Sequence, residues 1–265
     1  MSESKSTVNY LFGDSDRAAQ RLELLAHIFH DSTRALLLKA ASGNAWRLAV
    51  DLGCGPGFTT ALIAQTLQCD RVVGLDTSES FLKLARAAMP GGPSFAAHDI
   101  TKVPFPCGEA EVIFCRYLLT HLHDPEAIVE RWATQLGAGG LLIIEEVETI
   151  RTAHPVFACY LQIVEALLAS QSNRLYAGAL VGALGSSGSL KPLLNEVRMV
   201  PVRNCDAAGM FVLNLDAWKD SAFVRANYPH KAILELETAL IRIAEEETPA
   251  SEITWEMRQG SFRRK

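Results

Sequence analysis

Residues 48–60, Leu-Ala-Val-Asp-Leu-Gly-Cys-Gly-Pro-Gly-Phe-Thr-Thr, constrain this 265-residue chain more than any other stretch. The mostly apolar run 48–52 reads as a short buried strand, and the residues after the glycines read as a helix to about residue 67. Glycines at 53, 55 and 57 let the backbone turn tightly and approach a ligand, because no Cβ stands in the way. The helix start just beyond offers unpaired N–H groups. The spacing is G-x-G-x-G, not the G-x-G-x-x-G of dinucleotide binders. The next strand, 71–75, ends at Asp76, twenty-three residues beyond Gly53. An acid at that offset is placed to accept hydrogen bonds from ribose hydroxyls. Strand, glycine loop, helix, strand and acid together specify a nucleoside site.

Val50-Asp51-Leu52-Gly53-Cys54-Gly55-Pro56-Gly57 resembles motif I of the class I S-adenosylmethionine-dependent methyltransferases. Three later stretches are similar to that family's next motifs, in order: Gly74-Leu75-Asp76-Thr77-Ser78, His98-Asp99-Ile100, and Arg116-Tyr117-Leu118-Leu119-Thr120-His121-Leu122. The resemblance covers roughly residues 45–150. It implies S-adenosyl-L-methionine as methyl donor, held by Asp51, Gly53, Cys54, Gly55, Asp76, Thr77, Asp99, Ile100 and Arg116. Asp51 would help position the methionine ammonium, with the Gly53 carbonyl nearby. Asp99 would accept a hydrogen bond from the adenine amino group, and the Ile100 backbone would meet the ring edge. Asp99 also suits a turn-forming aspartate, and Arg116 a surface cation.

Taken in order, the chain divides into an N-terminal helical cap (1–44), a cofactor-binding core (45–150), a helical lid (151–196) and a C-terminal completion of the sheet (197–265). Residues 1–8 are expected to be mobile. Helices over 16–29 and 32–41 are expected to pack on the sheet or to cross the cofactor mouth, in which case Tyr10 and Phe12 touch the ligand. From 45 to 147 strands and helices alternate strictly, which implies a parallel sheet with helices on both faces. Residues 154–170 form a helix with two adjacent apolar stripes, either a lid over a pocket or a helix enclosed between layers. Broken helix is expected over 174–184 and 190–196, a sixth strand over 198–203, helices over 217–226 and 231–247, and a final strand over 253–262. The family's characteristic last strand is antiparallel, so the resemblance makes the whole an α/β, Rossmann-like, doubly wound, seven-stranded sheet.

Composition narrows the partners. The formal net charge is −5, and the dense basic run is confined to Arg263-Arg264-Lys265, so no nucleic-acid partner is expected. Apolar runs fall well short of the roughly 18 residues a membrane span requires. Residues 1–9 are polar and lack a hydrophobic signal core. Six cysteines without a C-x-x-C pair suit reduced thiols, and no metal site is expected. These features suit a cytoplasmic protein, and with the resemblance they make an enzyme acting on a small molecule the expectation.

Methyl transfer from a sulfonium is an in-line displacement, so orientation in a dry pocket carries most of the catalysis, up to ~7–11 kcal/mol. A general base, where the acceptor must lose a proton, adds ~10²–10⁴-fold. His121, after the fourth strand, and Glu146, at the end of the fifth, are the candidates for that role; both also suit purely structural places. Strand alternation sends Glu145 and Glu146 to opposite faces, so at most one should face the pocket. Phe157, Tyr160, Tyr176, Phe211, Trp218 and Phe223 suit a pocket for a partly apolar metabolite, with an O, N, S or C acceptor left open. The competing readings are an RNA or protein methyltransferase and a cofactor-binding module without turnover.

Overall fold

The structure, a computed structural model, describes residues 16–41, 43–185, 188–246 and 249–265. Tyr10, Phe12 and the expected mobile stretch 1–8 lie outside the described residues.

Seven strands form one sheet in the order β3-β2-β1-β4-β5-β7-β6. The strands are β1 (Ala45–Leu52), β2 (Gln68–Asp76), β3 (Ser94–Ala97), β4 (Ala110–Arg116), β5 (Leu136–Thr152), β6 (Leu190–Val202) and β7 (Ile253–Arg264). The first five pair in parallel, and β7 runs antiparallel between β5 and β6. The sheet is the expected Rossmann-like one, last strand included.

The central strands are buried on both faces, which explains their unbroken apolar sequences. Val50, Leu52, Ile113, Cys115, Leu142 and Ile144 point to one side and pack with Val129 and Trp132 of α4 (Pro125–Ala133). Ala49, Val112, Phe114, Leu141 and Ile143 point to the other. There they meet Leu36 and Leu37 of α1 (Asp16–Ala41) and Leu62 and Ile63 of α2 (Phe58–Thr66). The crossover helices start on sequence-encoded caps. Ser78 accepts from Phe81 N at the start of α3 (Glu79–Ala88), and Asp124, followed by Pro125, accepts from Ala127 N at the start of α4.

Beyond β5, Val181 of α6 (Gly178–Ala183) joins the α4 side of the sheet, and α5 (Pro155–Ser170), α7 (Asn204–Trp218), α8 (Ala222–Asn227) and α9 (His230–Glu245) form a second layer. Phe157, Tyr160, Phe211, Leu215, Trp218, Leu240 and Trp255 share its core.

Several expected boundaries are corrected. The two N-terminal helices are one continuous helix, since nothing between residues 29 and 32 breaks it. Residues 190–196, expected as helix within the lid, are the first half of β6 and pair with β7 from Leu190↔Arg264 to Val202↔Ile253. Leu190, Leu193 and Leu194 mimic helical spacing, but the long β7 offers a complete ladder and β6 takes the edge position where Pro192 and Pro201 are tolerated. Helix α7 was not expected at all, and the helix read over 217–226 is instead the end of α7 followed by α8. Ala207, Ala208, Phe211, Leu215 and Trp218 are all buried, so α7 lacks the polar stripe that would mark a helical period. Among the described residues no helix is long and apolar enough to cross a membrane.

Candidate functional site

The carboxyl ends of the first strands open onto a cavity of about 520 Å³. Gly53, Cys54, Gly55, Asp76, Thr77, Asp99, Ile100 and Arg116 line it, joined by His121. The fold therefore gathers most of the residues singled out in the sequence around one space.

The glycine loop is shaped by two constraints. Gly53 has φ +64°, and a Cβ there would lie 2.9 Å from Leu118 Cδ1. Asp76 then clamps the loop to β2: its Oδ2 accepts from Gly55 N at 2.8 Å and its Oδ1 from Ser78 N at 2.8 Å. These bonds fix the carboxylate in the cavity wall.

Asp99 sits at the far wall. Its Oδ1 accepts from Thr101 N at 3.0 Å and Thr101 Oγ1 at 2.6 Å, and Lys102 Nζ lies 3.3 Å from Oδ2. Burial raises the Asp99 pKa, but these bonds outweigh it and hold the carboxyl below the ordinary value. Asp99 is thus a turn-forming aspartate that also lines the cavity, so the two sequence readings coexist.

Asp51 does not line the cavity. It is buried under the glycine loop, where Thr60 Oγ1 donates to its Oδ2 at 2.6 Å and ties β1 to α2. Burial pushes its pKa up to about 7, opposed by the Thr60 bond and by the charge of Arg116.

Arg116 is held from behind. Its Nη1 donates to Thr33 Oγ1 at 2.9 Å, and Thr33 donates in turn to Glu145 Oε2 at 2.5 Å. Ser32 and Gln259 donate to the other oxygen of Glu145. Arg116 is therefore a fixed cation in the cavity wall rather than a solvated surface group. Tyr117, the next residue, has φ +54°. A strained non-glycine residue beside a cavity is a frequent mark of a functional turn.

The expectation that Glu146 faces the pocket as a candidate general base is corrected. Both glutamates are fully buried and neither lines the cavity. Glu146 Oε1 accepts from Leu118 N at 2.7 Å and Leu119 N at 2.8 Å, and its Oε2 has no partner among the described residues. Burial pushes its pKa up to about 7. The alternation was read properly, but both faces of β5 are closed at this depth. His121 does line the cavity. Burial, then the positive charge of Arg21, lowers its pKa to about 4, so the ring is neutral at physiological pH.

The opposite end of the cavity comes from elements outside the motif-bearing span. Arg21 and Leu25 of α1, Tyr160 and Val164 of α5, Phe211 and Asn214 of α7, Arg174, and Trp255 of β7 close it. Tyr160 stacks on Phe211 at 4.0 Å and 14°. Phe157 and Trp218, also noted in the sequence, are instead fully buried in the helical layer. Arg21 was missed; the one available signal was an arginine directly preceding the apolar edge Leu22, Leu25 and Ile28.

Comparison with known proteins agrees with this geometry. A family model described as a methyltransferase domain matches residues 50–144. Over that stretch the chain is similar to methyltransferase domains. The trans-aconitate 2-methyltransferase of Methylobacterium radiotolerans is 38% identical over 111 residues, 42% of this chain and 42% of that protein. The one from Paracidovorax citrulli is 32% identical over 116 residues, 44% of this chain and 43% of its own length. The chain thus matches these relatives over less than half of their length. Among solved structures, coclaurine N-methyltransferase with bound N-methylheliamine and S-adenosylhomocysteine aligns with a TM-score of 0.55 at 15% identity, covering 88% of this chain and 72% of that one. Magnesium protoporphyrin IX methyltransferase from Synechocystis aligns with a TM-score of 0.53 at 16% identity, covering 96% and 91%. These two likenesses concern the fold. The stretch matched by the methyltransferase model holds the glycine loop, Asp76, Asp99, Arg116 and His121, but not Arg21, Tyr160, Phe211 or Trp255.

Proposed function

We propose that this protein is an S-adenosylmethionine-dependent methyltransferase acting on a small, partly apolar metabolite. The observation that carries the reading is Asp76, locked by two loop N–H groups at the end of β2 and lining the same cavity as Asp99. A carboxylate so held suits a ribose diol. The residues present fit the donor chemically. Asp76 would take the ribose, Asp99 and the Ile100 backbone the adenine, and the loop at 53–55 with Arg116 the methionine end. Asp51, enclosed beneath the loop, would act on the donor's ammonium through the loop it supports.

When bound, the donor supplies a methyl on a sulfonium sulfur; the acceptor's lone pair forms the new bond to carbon as the S–C pair returns to sulfur, leaving S-adenosylhomocysteine. The chain's own contribution is orientation and exclusion of water. Tyr160, Phe211 and Trp255 form a wall against which an acceptor is held, and the Glu146 bonds to 118–119 keep Leu118 packed over the loop. His121, neutral at physiological pH, serves as a hydrogen-bond partner that orients the acceptor; a group protonating near 4 is a weak base. The absence of a nucleic-acid partner belongs to the same reading, supported by the acidic net charge of −5, and a cytoplasmic place is supported by six cysteines without a C-x-x-C pair. Titration calorimetry with S-adenosylmethionine and S-adenosylhomocysteine tests it directly. Binding with a one-to-one ratio is expected, and a protein that bound neither compound would overturn the reading.

A further inference from the structure

The sheet ends on an open edge at β6. Among the described residues, no strand pairs with it on the side away from β7. A free strand edge presents unpaired N–H and C=O groups and is a template for another strand. Here it is also apolar: Leu193, Val197 and Met199 are 46%, 38% and 54% exposed. Val197 and Met199 share one face of the strand with Asn195, whose Nδ2 donates to Gly182 O of α6 at 2.9 Å. The opposite face lies toward α1, where Lys39 pairs with Glu196 and Leu194 packs on the cluster of Leu36 and Leu37. Arg198, on that same face, is exposed. Pro192 and Pro201 bound the stretch 193–200, so an added strand has a short, defined landing.

This edge is complementary to itself. Pro201 lies opposite Thr254 of β7 and has no N–H for the ladder, so its nitrogen side faces outward. By the two-residue period, Asn195, Val197 and Met199 turn their N–H and C=O groups outward too. An antiparallel partner must therefore set odd positions opposite odd ones, and charge then selects the register. With Val197 on a two-fold axis, Glu196 of each copy faces Arg198 of the other, and Met199 faces Asn195. Moving the axis by one residue sets Glu196 against Glu196, or Arg198 against Arg198. In the favoured register the Val197 and Met199 side chains of both copies join in one apolar stripe. We propose that β6 pairs antiparallel with β6 of a second copy of this chain, about a two-fold axis at Val197, so that one sheet runs through a homodimer. The interface is isologous and closes at two subunits. It is independent of the methyltransferase reading, because β6 supplies no residue to the cavity lining.

Sedimentation velocity on the full chain, from about 1 to about 100 µM, is expected to show a dimer that predominates at the upper end. Glu196→Arg and Arg198→Glu each set like charges across the axis, and each variant should be monomeric throughout that range. The exposed Lys39 pair lost in Glu196→Arg costs little stability, so circular dichroism should show both variants folded. Mixed in equal amounts, the two variants should associate, because their reversed charges then meet as opposites. The double variant should dimerise alone for the same reason. A role confined to one subunit predicts neither rescue. A wild-type chain that is monomeric at about 100 µM overturns the proposal, as does a dimer that survives both single reversals. Single variants that stay apart when mixed overturn it too. Should a reversed variant fail to fold, Val197→Cys decides. Hydrogen-bonded antiparallel neighbours have Cα atoms about 5.5 Å apart, within disulfide reach. Mild oxidation should then give a covalent dimer whose peptide map joins the two introduced thiols, and the absence of that link overturns the proposal.

Discussion

Arg116 donates to the hydroxyl of Thr33 at 2.9 Å, across 83 residues of sequence, and so the cation of the cavity wall is aimed by the N-terminal helix. Thr33 in turn donates a hydrogen bond to Glu145, which is fully buried and also accepts from Ser32 and Gln259. Helix α1, strands β4 and β5 and the antiparallel β7 thus meet in one polar cluster behind the site.

Thr33→Val keeps the shape and removes both bonds. Glu145 loses one donor and Arg116 its anchor, so stability should fall by about 1–3 kcal/mol in urea unfolding. Affinity for S-adenosylmethionine should fall with it, by about ten-fold, because a wandering guanidinium no longer meets the methionine end. An unchanged affinity would show that Arg116 does not contact the donor.

Asp76→Ala should weaken donor binding by roughly 10–100-fold in calorimetry, the loss expected for a charge-assisted hydrogen bond. Gly55 N, which is buried, and Ser78 N would both lose their acceptor, so a stability cost of about 1–3 kcal/mol is expected as well. Asp76→Asn retains neutral acceptor capacity and should fall between. Undiminished affinity in the alanine variant would remove Asp76 from the ribose site.

The glycine-loop half of the cavity was legible because its residues are local in sequence. A glycine loop and an acid at the next strand end are dictated by one βαβ unit, and the chain supplies them within 30 residues of each other. The other half was legible only in Tyr160 and Phe211, because it is assembled from α1, α5, α7 and β7, far apart in the chain. Its central helix, α7, is buried on nearly all sides and gives no period to read. Glu146 failed for a different reason. Alternation fixes which way a strand side chain points, but not whether the space there is cavity or packed loop.

His121 should titrate far below an ordinary histidine. Its burial and the neighbouring Arg21 charge bring the pKa to about 4, from 6.5 for a free side chain. By NMR, its ring resonance should stay flat between about pH 5.5 and about pH 8, and move only in more acidic solution. The same lowering makes the neutral ring the folded form, so the stability tied to it is present above about 6.5 and lost as pH falls toward 4. A midpoint near the free value would mean that the ring is solvated, and that an acid–base role near neutrality is open to it.

Glu146 gives stability the opposite slope. Its carboxyl titrates at 4.5 in an unstructured chain and at about 7 when folded, because burial penalises the anion more than the Leu118 and Leu119 N–H groups stabilise it. Between those values the folded state holds the extra proton. Its contribution is therefore fully present below about 4.5 and lost as pH rises through about 7, at about 1.4 kcal/mol per pH unit, or on the order of 3 kcal/mol in all. Glu146→Gln imitates the protonated form: the amide oxygen still accepts from Leu118 and Leu119, and no charge is buried. The variant should match wild type near pH 5 and exceed it in urea unfolding near pH 8, with a flatter pH dependence overall. Part of the slope should survive, because Asp51, buried under the glycine loop and also raised to about 7, titrates over a similar window. If wild type and variant lose stability in parallel from about pH 5 to about pH 8.5, the Glu146 carboxylate is solvated in the native protein, and its grip on the 118–119 turn is weaker than the bond lengths imply.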